Sequence, residues 1–269
     1  MNRLVLNKII LTLSTLSALI GITFLFWILA TLTYKGIMSI SWAIFVNDLV
    51  NGGIRNLLAG QFVMAILASF IAVPVGMMAG IYLREYGHGS KLASIIRNLS
   101  DVMMSAPSIV IGVFVYALLV DPFGSYNGYA GIVALAIMMI PIIISTTDNM
   151  LSLVPTELRE AGMALGGSKH KIIVQIVIKA AKVGILTGIL LSFARIIGET
   201  APLLFTSANN QFFTMDLSGQ FPSLTVSIYN LATYPDEASR ELAWAAAFIL
   251  TIIVLCINLV GRFLIRNKK

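Results

Sequence analysis

Six stretches of this chain are too apolar, and too long without a charge, to sit at the surface of a water-soluble fold. They are Ile9–Tyr34, Asn56–Leu83, Val102–Val120, Pro122–Thr147, Leu242–Gly261, and a run from Val183 to Ala194 that continues past Arg195 and Glu199 to about Phe205. A helix needs about 20 apolar residues to cross the hydrocarbon core of a bilayer, and a helix is the form in which a single segment satisfies its own backbone there. Only 11% of the residues are charged, against about 25% in soluble domains. The expectation is an all-α integral membrane protein with six transmembrane helices. The first stretch follows Arg3 and Lys8 as a signal peptide would. It exceeds the roughly 7–15 apolar residues of a signal core and no small-x-small cleavage site follows, so it is read as a retained helix. The lone cysteine, Cys256, excludes an intrachain disulfide and a cysteine-based metal site.

Orientation follows from the basic residues. With the N-terminus inside, the inner segments hold Arg3, Lys8, Arg84, Lys91, Arg97, Arg159, Lys169, Lys171, Lys179, Lys182, Arg262, Arg266, Lys268 and Lys269. The outer segments hold only Lys35, Arg55 and Arg240. The positive-inside rule then puts both termini in the cytoplasm. The net charge of +6 comes mostly from these inner loops, which face the lipid bilayer and need no nucleic acid to explain them. Residues 1–56 are read as the first helix and an outer loop, 57–264 as a core of five helices, and 265–269 as a basic cytoplasmic tail. The outer segment Ser207–Leu242 is acid-rich, and its stretch Leu224–Ala232 is either a short surface helix or a packed loop. Pro74, Pro107, Pro141 and Pro202 are read as helix kinks. The i, i+4 pairs Gly76/Gly80 and Gly184/Gly188 are read as close helix packing, within the chain or against a partner.

Two segments carry chemistry. The first is the polar inner loop at residues 155–178, P-T-E-L-R-E-A-G-M-A-L-G-G-S-K-H-K-I-I-V-Q-I-V-I. It is either an ordinary cytoplasmic loop or a docking surface for a soluble partner. The second is Arg195-Ile-Ile-Gly-Glu199. Counted from Val183 at 1.5 Å per residue, Arg195 lies about 18 Å along its helix, near mid-membrane, with Glu199 one turn on. A charge there costs at least about 2.5–3.5 kcal/mol unless it faces protein or water, so a substrate path is the first reading and a neutralising ion pair the second. The planar guanidinium suits a tetrahedral oxyanion through paired, charge-assisted hydrogen bonds. No nucleophile, metal cluster or G-x-x-x-x-G-K-[ST] loop is present, which argues against an enzyme and against ATP binding of that kind. His88 and His170 sit in polar loops with no ligand partners.

Two resemblances add to this. The spacing of Glu160-Ala161, Gly166, Ile176 and Ile178 resembles the EAA loop by which ABC-importer permeases dock on their ATPase. Gly162 replaces the usual second Ala and Lys179 the usual Pro. The segments I-Y-L-R-E-Y-G (81–87), S-A-P-S-I-V-I-G-V-F-V-Y (105–116), T-T-D-N-M-L-S-L-V-P (146–155) and R-I-I-G-E-T-A-P-L-L-F-T (195–206) resemble the PstA-type permeases of phosphate-specific ABC importers. The resemblance implies a type I ABC importer permease in the bacterial cytoplasmic (inner) membrane. It implies a heterodimer with a second homologous permease, two copies of an ATP-binding subunit, and an extracytoplasmic phosphate-binding protein. No cofactor is expected in this chain; ATP and Mg belong to the ATPase partners. The substrate path is assigned to Arg195 and Glu199, and ATPase coupling to Glu160, Ala161 and Gly166. An importer of another oxyanion or small polar solute is the alternative, and an ion-coupled secondary transporter a more distant one.

Overall fold

A computed structural model describes residues 3–266 as a chain of helices, with no strand among the described residues. Helix α1 runs Arg3–Met38, followed by the short α2 (Trp42–Val46) and a 3-10 turn at Leu49–Asn51. Helix α3 (Arg55–Ile81) continues through a π-helical turn at Tyr82–Tyr86. Then come α4 (Lys91–Ser105), α5 (Ser108–Leu119), α6 (Gly128–Ser152) and the short α7 (Thr156–Ala164). Helix α8 (Lys169–Ile172) and a π turn (Ile173–Val177) lead without a break into α9 (Ile178–Ile197). The chain ends with α10 (Ala201–Thr206), α11 (Leu224–Thr233) and α12 (Glu237–Arg266). Lys268 and Lys269 of the expected basic tail lie outside the described residues.

Five helices are long and apolar enough to span a bilayer, and a bent pair makes a sixth if counted as one span. The bent pair makes the kink expected at Pro107, within Val102–Val120, a sharp break. Helix α4 stops at Ser105, and α5 leaves at 107° to it. Pro107 is the cause. A residue before proline is pushed out of helical backbone, and Ala106 is extended at φ −66°, ψ 137°. Helix α5 has 12 residues, about 18 Å of rise, short of a hydrocarbon core about 30 Å thick. Pro74 and Pro141, by contrast, stay inside α3 and α6.

Helix α6 is the hub, packed against α3, α4, α5, α9 and α10. Its central window is 67% buried, whereas that of α1 is 0% buried. The core built around it takes Met64, Ala68 and Ala72 from α3, Leu135, Met139 and Ile143 from α6, and Ile196 and Ile197 from α9. The small residues explain how α3 and α9 come so close. A Cβ on Gly76 would lie 2.8 Å from Ile143 Cβ, and one on Gly80 would lie 2.6 Å from Thr147 Cβ. From the other side, Gly184 meets Met150 and Gly188 meets Thr146. Both glycine pairs therefore serve packing within the chain, with α6 gripped between α3 and α9. Close approach of this kind is what holds membrane helices together where lipid tails are as apolar as leucine.

Helix α1 touches the rest mainly through α12. Its contacts include Gly36 against Phe248, and Lys35 Nζ 4.9 Å above the Trp244 ring. Its exposed faces carry Phe24, Phe26, Trp27 and a run of Leu and Ile, a surface suited to lipid. Leu224–Ala232 is neither the surface helix nor the packed loop expected of it, but a helix packed into the bundle. Leu224, Thr225, Val226, Ser227 and Leu231 are buried, and α11 lies against α12 and α3. Asp236 Oδ2 accepts from Ser239 N at 2.8 Å at the start of α12, and hydrogen bonding by Ser239 holds this carboxyl below its usual range.

The glycine contacts give a direct test. Gly80→Leu forces a branched side chain into Thr147 and the Ile144 carbonyl, an overpacking cost of about 1–3 kcal/mol. Gly21, with nothing within 4 Å of its notional Cβ, accepts leucine at no such cost. The thermal midpoint of the detergent-purified chain should fall for Gly80→Leu and hold for Gly21→Leu; equal midpoints would show that the α3–α6 contact is slack.

Candidate functional site: a broken helix with a charged pair, and a clamped loop

The two polar segments singled out in the sequence lie at different places in the fold. The first is the end of α9. The expected apolar run through Arg195 to Phe205 is not one helix. Helix α9 ends at Ile197, residues 198–200 form an irregular link, and α10 restarts at Ala201 with Pro202 in its first turn. Arg195 is therefore in the last turn of α9, and Glu199 lies beyond the helix end. The spacing of four nevertheless brings them together, with Arg195 Nε 3.5 Å from Glu199 Oε1. The pair is loose and asymmetric: the arginine side chain is 51% exposed and the glutamate 16%.

A helix end leaves carbonyls without intrahelical donors, and in a membrane they must be satisfied by protein. Five carbonyls at this break have partners. Arg195 O accepts from Gly198 N at 3.0 Å, and Ile196 O from Glu199 N at 3.3 Å. Ile197 O accepts from Gln61 Nε2 of α3 at 2.9 Å. Glu199 O accepts from Thr225 Oγ1 of α11 at 2.7 Å, and Thr200 O from Leu204 N at 3.0 Å. Gln61 Oε1 in turn accepts from Ser223 Oγ and from Leu224 N, both at 3.1 Å. Gln61, Ser223 and Thr225 are all buried. The break is thus a built feature, held from α3 on one side and α11 on the other. It presents one half-exposed guanidinium over a buried polar floor.

Sequence reasoning missed Gln61, Ser223 and Thr225. A signal existed for Gln61: it is one of two amides, with Asn56, inside an uncharged span, and such residues bond across helices. Ser223 and Thr225 sit in a long polar loop and carried none.

The second segment is the loop at residues 155–178. Glu160 and Ala161 lie exposed on α7, a nine-residue helix, and Gly166 follows its end in the left-handed region at φ +77°. Nothing lies within 4 Å of a Cβ placed on Gly166, so glycine serves the turn there and not a close contact. Gly162, the departure from the EAA pattern, is the residue that packs. A Cβ there would lie 2.8 Å from Ile176 Cδ1 and 3.1 Å from Ile172 Cγ1. Around Glu160, Ala161 and Gly166 the loop exposes Leu158, Met163 and Leu165, the last at 90%. The tip of this polar loop is thus bare leucine and methionine.

What fixes this loop is Arg159, which the sequence showed only as one more loop charge. Its guanidinium donates to Glu85 at 2.8 Å and 3.3 Å, to Val154 O at 2.7 Å and to Leu151 O at 3.0 Å. Glu85 lies in the π turn that ends α3. The charge is mostly buried on both sides, with side-chain exposures of 16% and 8%. A buried pair of this kind fixes geometry because either charge alone would be costly to hide. Beside it, Arg97 pairs with Asp148 at 2.8 Å, tying α4 to α6. No group of three or more His, Cys, Asp or Glu residues that could hold a metal is found among the described residues.

Comparison with known proteins gives these features a setting. The family model described as "Binding-protein-dependent transport system inner membrane component" matches residues 72–268. The chain is 45% identical over 267 residues to the phosphate transport system permease protein PstA of Pasteurella multocida, covering 98% of this chain and 95% of that one. The PstA of Haemophilus influenzae is 47% identical over the same shares of each chain. Among solved structures, a chain of the MetNI methionine ABC transporter in inward-facing conformations superposes with a TM-score of 0.65 at 22% identity, over 86% of this chain and 100% of that one. That likeness shows a shared fold. With a family match over most of its length and near-complete coverage of relatives named PstA, this chain belongs to the inner-membrane components of binding-protein-dependent transport systems.

Proposed function

We propose that this chain is the membrane permease subunit of an ATP-driven importer that takes up inorganic phosphate by alternating access. The reading is carried by the near-full-length identity to relatives named as phosphate transport permeases. The geometry supplies a mechanism for it. Arg195, half-exposed at a helix break, offers a fork of N–H donors to two phosphate oxygens. Glu199 holds the guanidinium loosely at 3.5 Å. It also opposes a bound anion, so the site releases what it binds. The chain stands with both termini in the cytoplasm of a bacterial cell. A second, homologous permease lines the other half of the path. Two ATP-binding subunits carry ATP and Mg and dock on the loop of Glu160, Ala161 and Gly166, and a phosphate-binding protein delivers the anion from outside.

Phosphate uptake in cells with matched membrane levels of the complex tests the path. Hydrogen bonds to charged groups contribute about 1.5–3 kcal/mol, so Arg195→Ala should lower uptake at limiting phosphate roughly ten- to hundredfold. Arg195→Lys keeps the charge, loses the fork and should fall between. Wild-type uptake by Arg195→Ala removes the assignment. Recovery in Arg195→Ala with Glu199→Ala would reduce the pair to a neutralising contact.

The coupling loop is tested separately. A side chain at the left-handed Gly166 costs about 1–2 kcal/mol and displaces the neighbouring Leu165. In the assembled complex, Gly166→Leu should leave insertion intact and reduce phosphate moved per ATP hydrolysed. A wild-type ratio would remove Gly166 from the coupling surface.

A further inference from the structure

Helix α3 is tied to the α7 loop at one end and to the end of α9 at the other. At one end Glu85, in the π turn that closes α3, clamps Arg159 and with it the loop that leads into α8 and α9. At the other end Gln61 of α3 holds the final carbonyl of α9, Ile197 O, at 2.9 Å. The two ties are 24 positions apart on one continuous helix, about 36 Å at 1.5 Å per residue. Between them both helices press their glycines on α6. A displacement at the α7 loop therefore has two routes to the charged pair: along α9 itself, and along α3 through Gln61. Without the second route, the end of α9 is held by packing and by the Thr225 bond to Glu199 O.

We propose that Gln61 is a positioning residue for transport. From α3 it fixes the end of α9, and with Thr225 it sets where Arg195 and Glu199 stand as α3 and α9 move together. Several observations bear on this. Gln61 is 1% exposed inside a span, where a buried amide needs full hydrogen bonding. Its bonds reach two other elements, α9 and α11, and none stays within α3. The carbonyl it satisfies is two residues from Arg195 and two from Glu199. The inference rests on the assignment of Arg195 to the substrate path, and the experiment separates the two.

The complete complex, with its second permease and ATPase, is reconstituted in vesicles. Phosphate uptake and ATP hydrolysis are measured for wild type, Gln61→Met, Thr225→Val and Arg195→Ala. Gln61→Met keeps the length and loses every hydrogen bond. Misplacement of reacting groups by about 1 Å can cost about a hundredfold, so phosphate moved per ATP should drop roughly tenfold or more in Gln61→Met. Basal ATP hydrolysis should stay within about twofold of wild type, because the ATP site lies in another subunit. A residue needed only for folding would lower uptake and hydrolysis together through loss of complex. If Gln61→Met fails to assemble, Thr225→Val decides, since it removes one bond to Glu199 O and leaves the α3 tie. It should raise the KM for phosphate roughly threefold or more at normal complex levels.

In an Arg195→Lys background, Gln61→Met should add less than it does alone, because both act through one guanidinium. Independent, multiplicative losses would overturn the proposal. So would a wild-type ratio and KM in Gln61→Met, or, where that variant does not assemble, in Thr225→Val. If Arg195→Ala itself transports normally, the substrate-path reading fails instead, whatever Gln61→Met does.

Discussion

A single amide, that of Gln61, makes the break after Ile197 possible. Ending a helix inside a membrane releases carbonyl groups where no water reaches them, and each left bare costs several kcal/mol. Gln61 answers this from α3, donating to Ile197 O and accepting from Ser223 Oγ and Leu224 N. Thr225 satisfies Glu199 O from the same patch. With those bonds in place the chain can leave helical geometry for three residues and bring Glu199 back to Arg195.

The polar junction would have no fixed position without the packing around α6. Burial from water supplies little driving force between helices in lipid, so the contacts must be close. Gly76 and Gly80 on one side, and Gly184 and Gly188 on the other, let α3 and α9 reach the backbone and side-chain stems of α6. That puts Gln61 within hydrogen-bond reach of Ile197. At the basic end the Glu85–Arg159 clamp joins the turn after α3 to α7 and fixes a loop whose tip exposes Leu165 and Met163. A rigid base with an apolar tip is what a docking element needs, because a floppy loop would absorb a push rather than pass it on.

Much of this was legible in the sequence. The long uncharged runs dictate membrane helices, because unpaired charge is excluded from hydrocarbon. The basic residues dictate one end of the bundle: Arg84, Arg97 and Arg159 all gather there, each bonded to the Leu151–Ser152 backbone, to Asp148 or to Glu85. The R-I-I-G-E-T-A-P-L-L-F-T segment pointed to the family, and the spacing of Arg195 and Glu199 to a pair. Where the reading slipped, it was on continuity. Val102–Val120 looked like one span because hydropathy does not register the 107° turn that Pro107 imposes. Val183–Phe205 looked like one helix because Gly198 and Pro202 are tolerated in membrane helices.

By itself, then, the sequence determined what is local: which residues avoid water, which carry charge, and which small residues allow close approach. Each depends on a side chain's own transfer free energy or size, and is set before the chain folds. The tertiary structure alone decided where backbone groups find partners. That α9 stops at Ile197, that Gln61 is a structural member of the charged site, and that Arg159 is a clamp and not a surface charge all depend on residues 26 to 163 positions apart meeting across helices. A hydrogen bond acts over about 3 Å, so which groups it joins is a property of the packed arrangement and is not written in the order of residues along the chain.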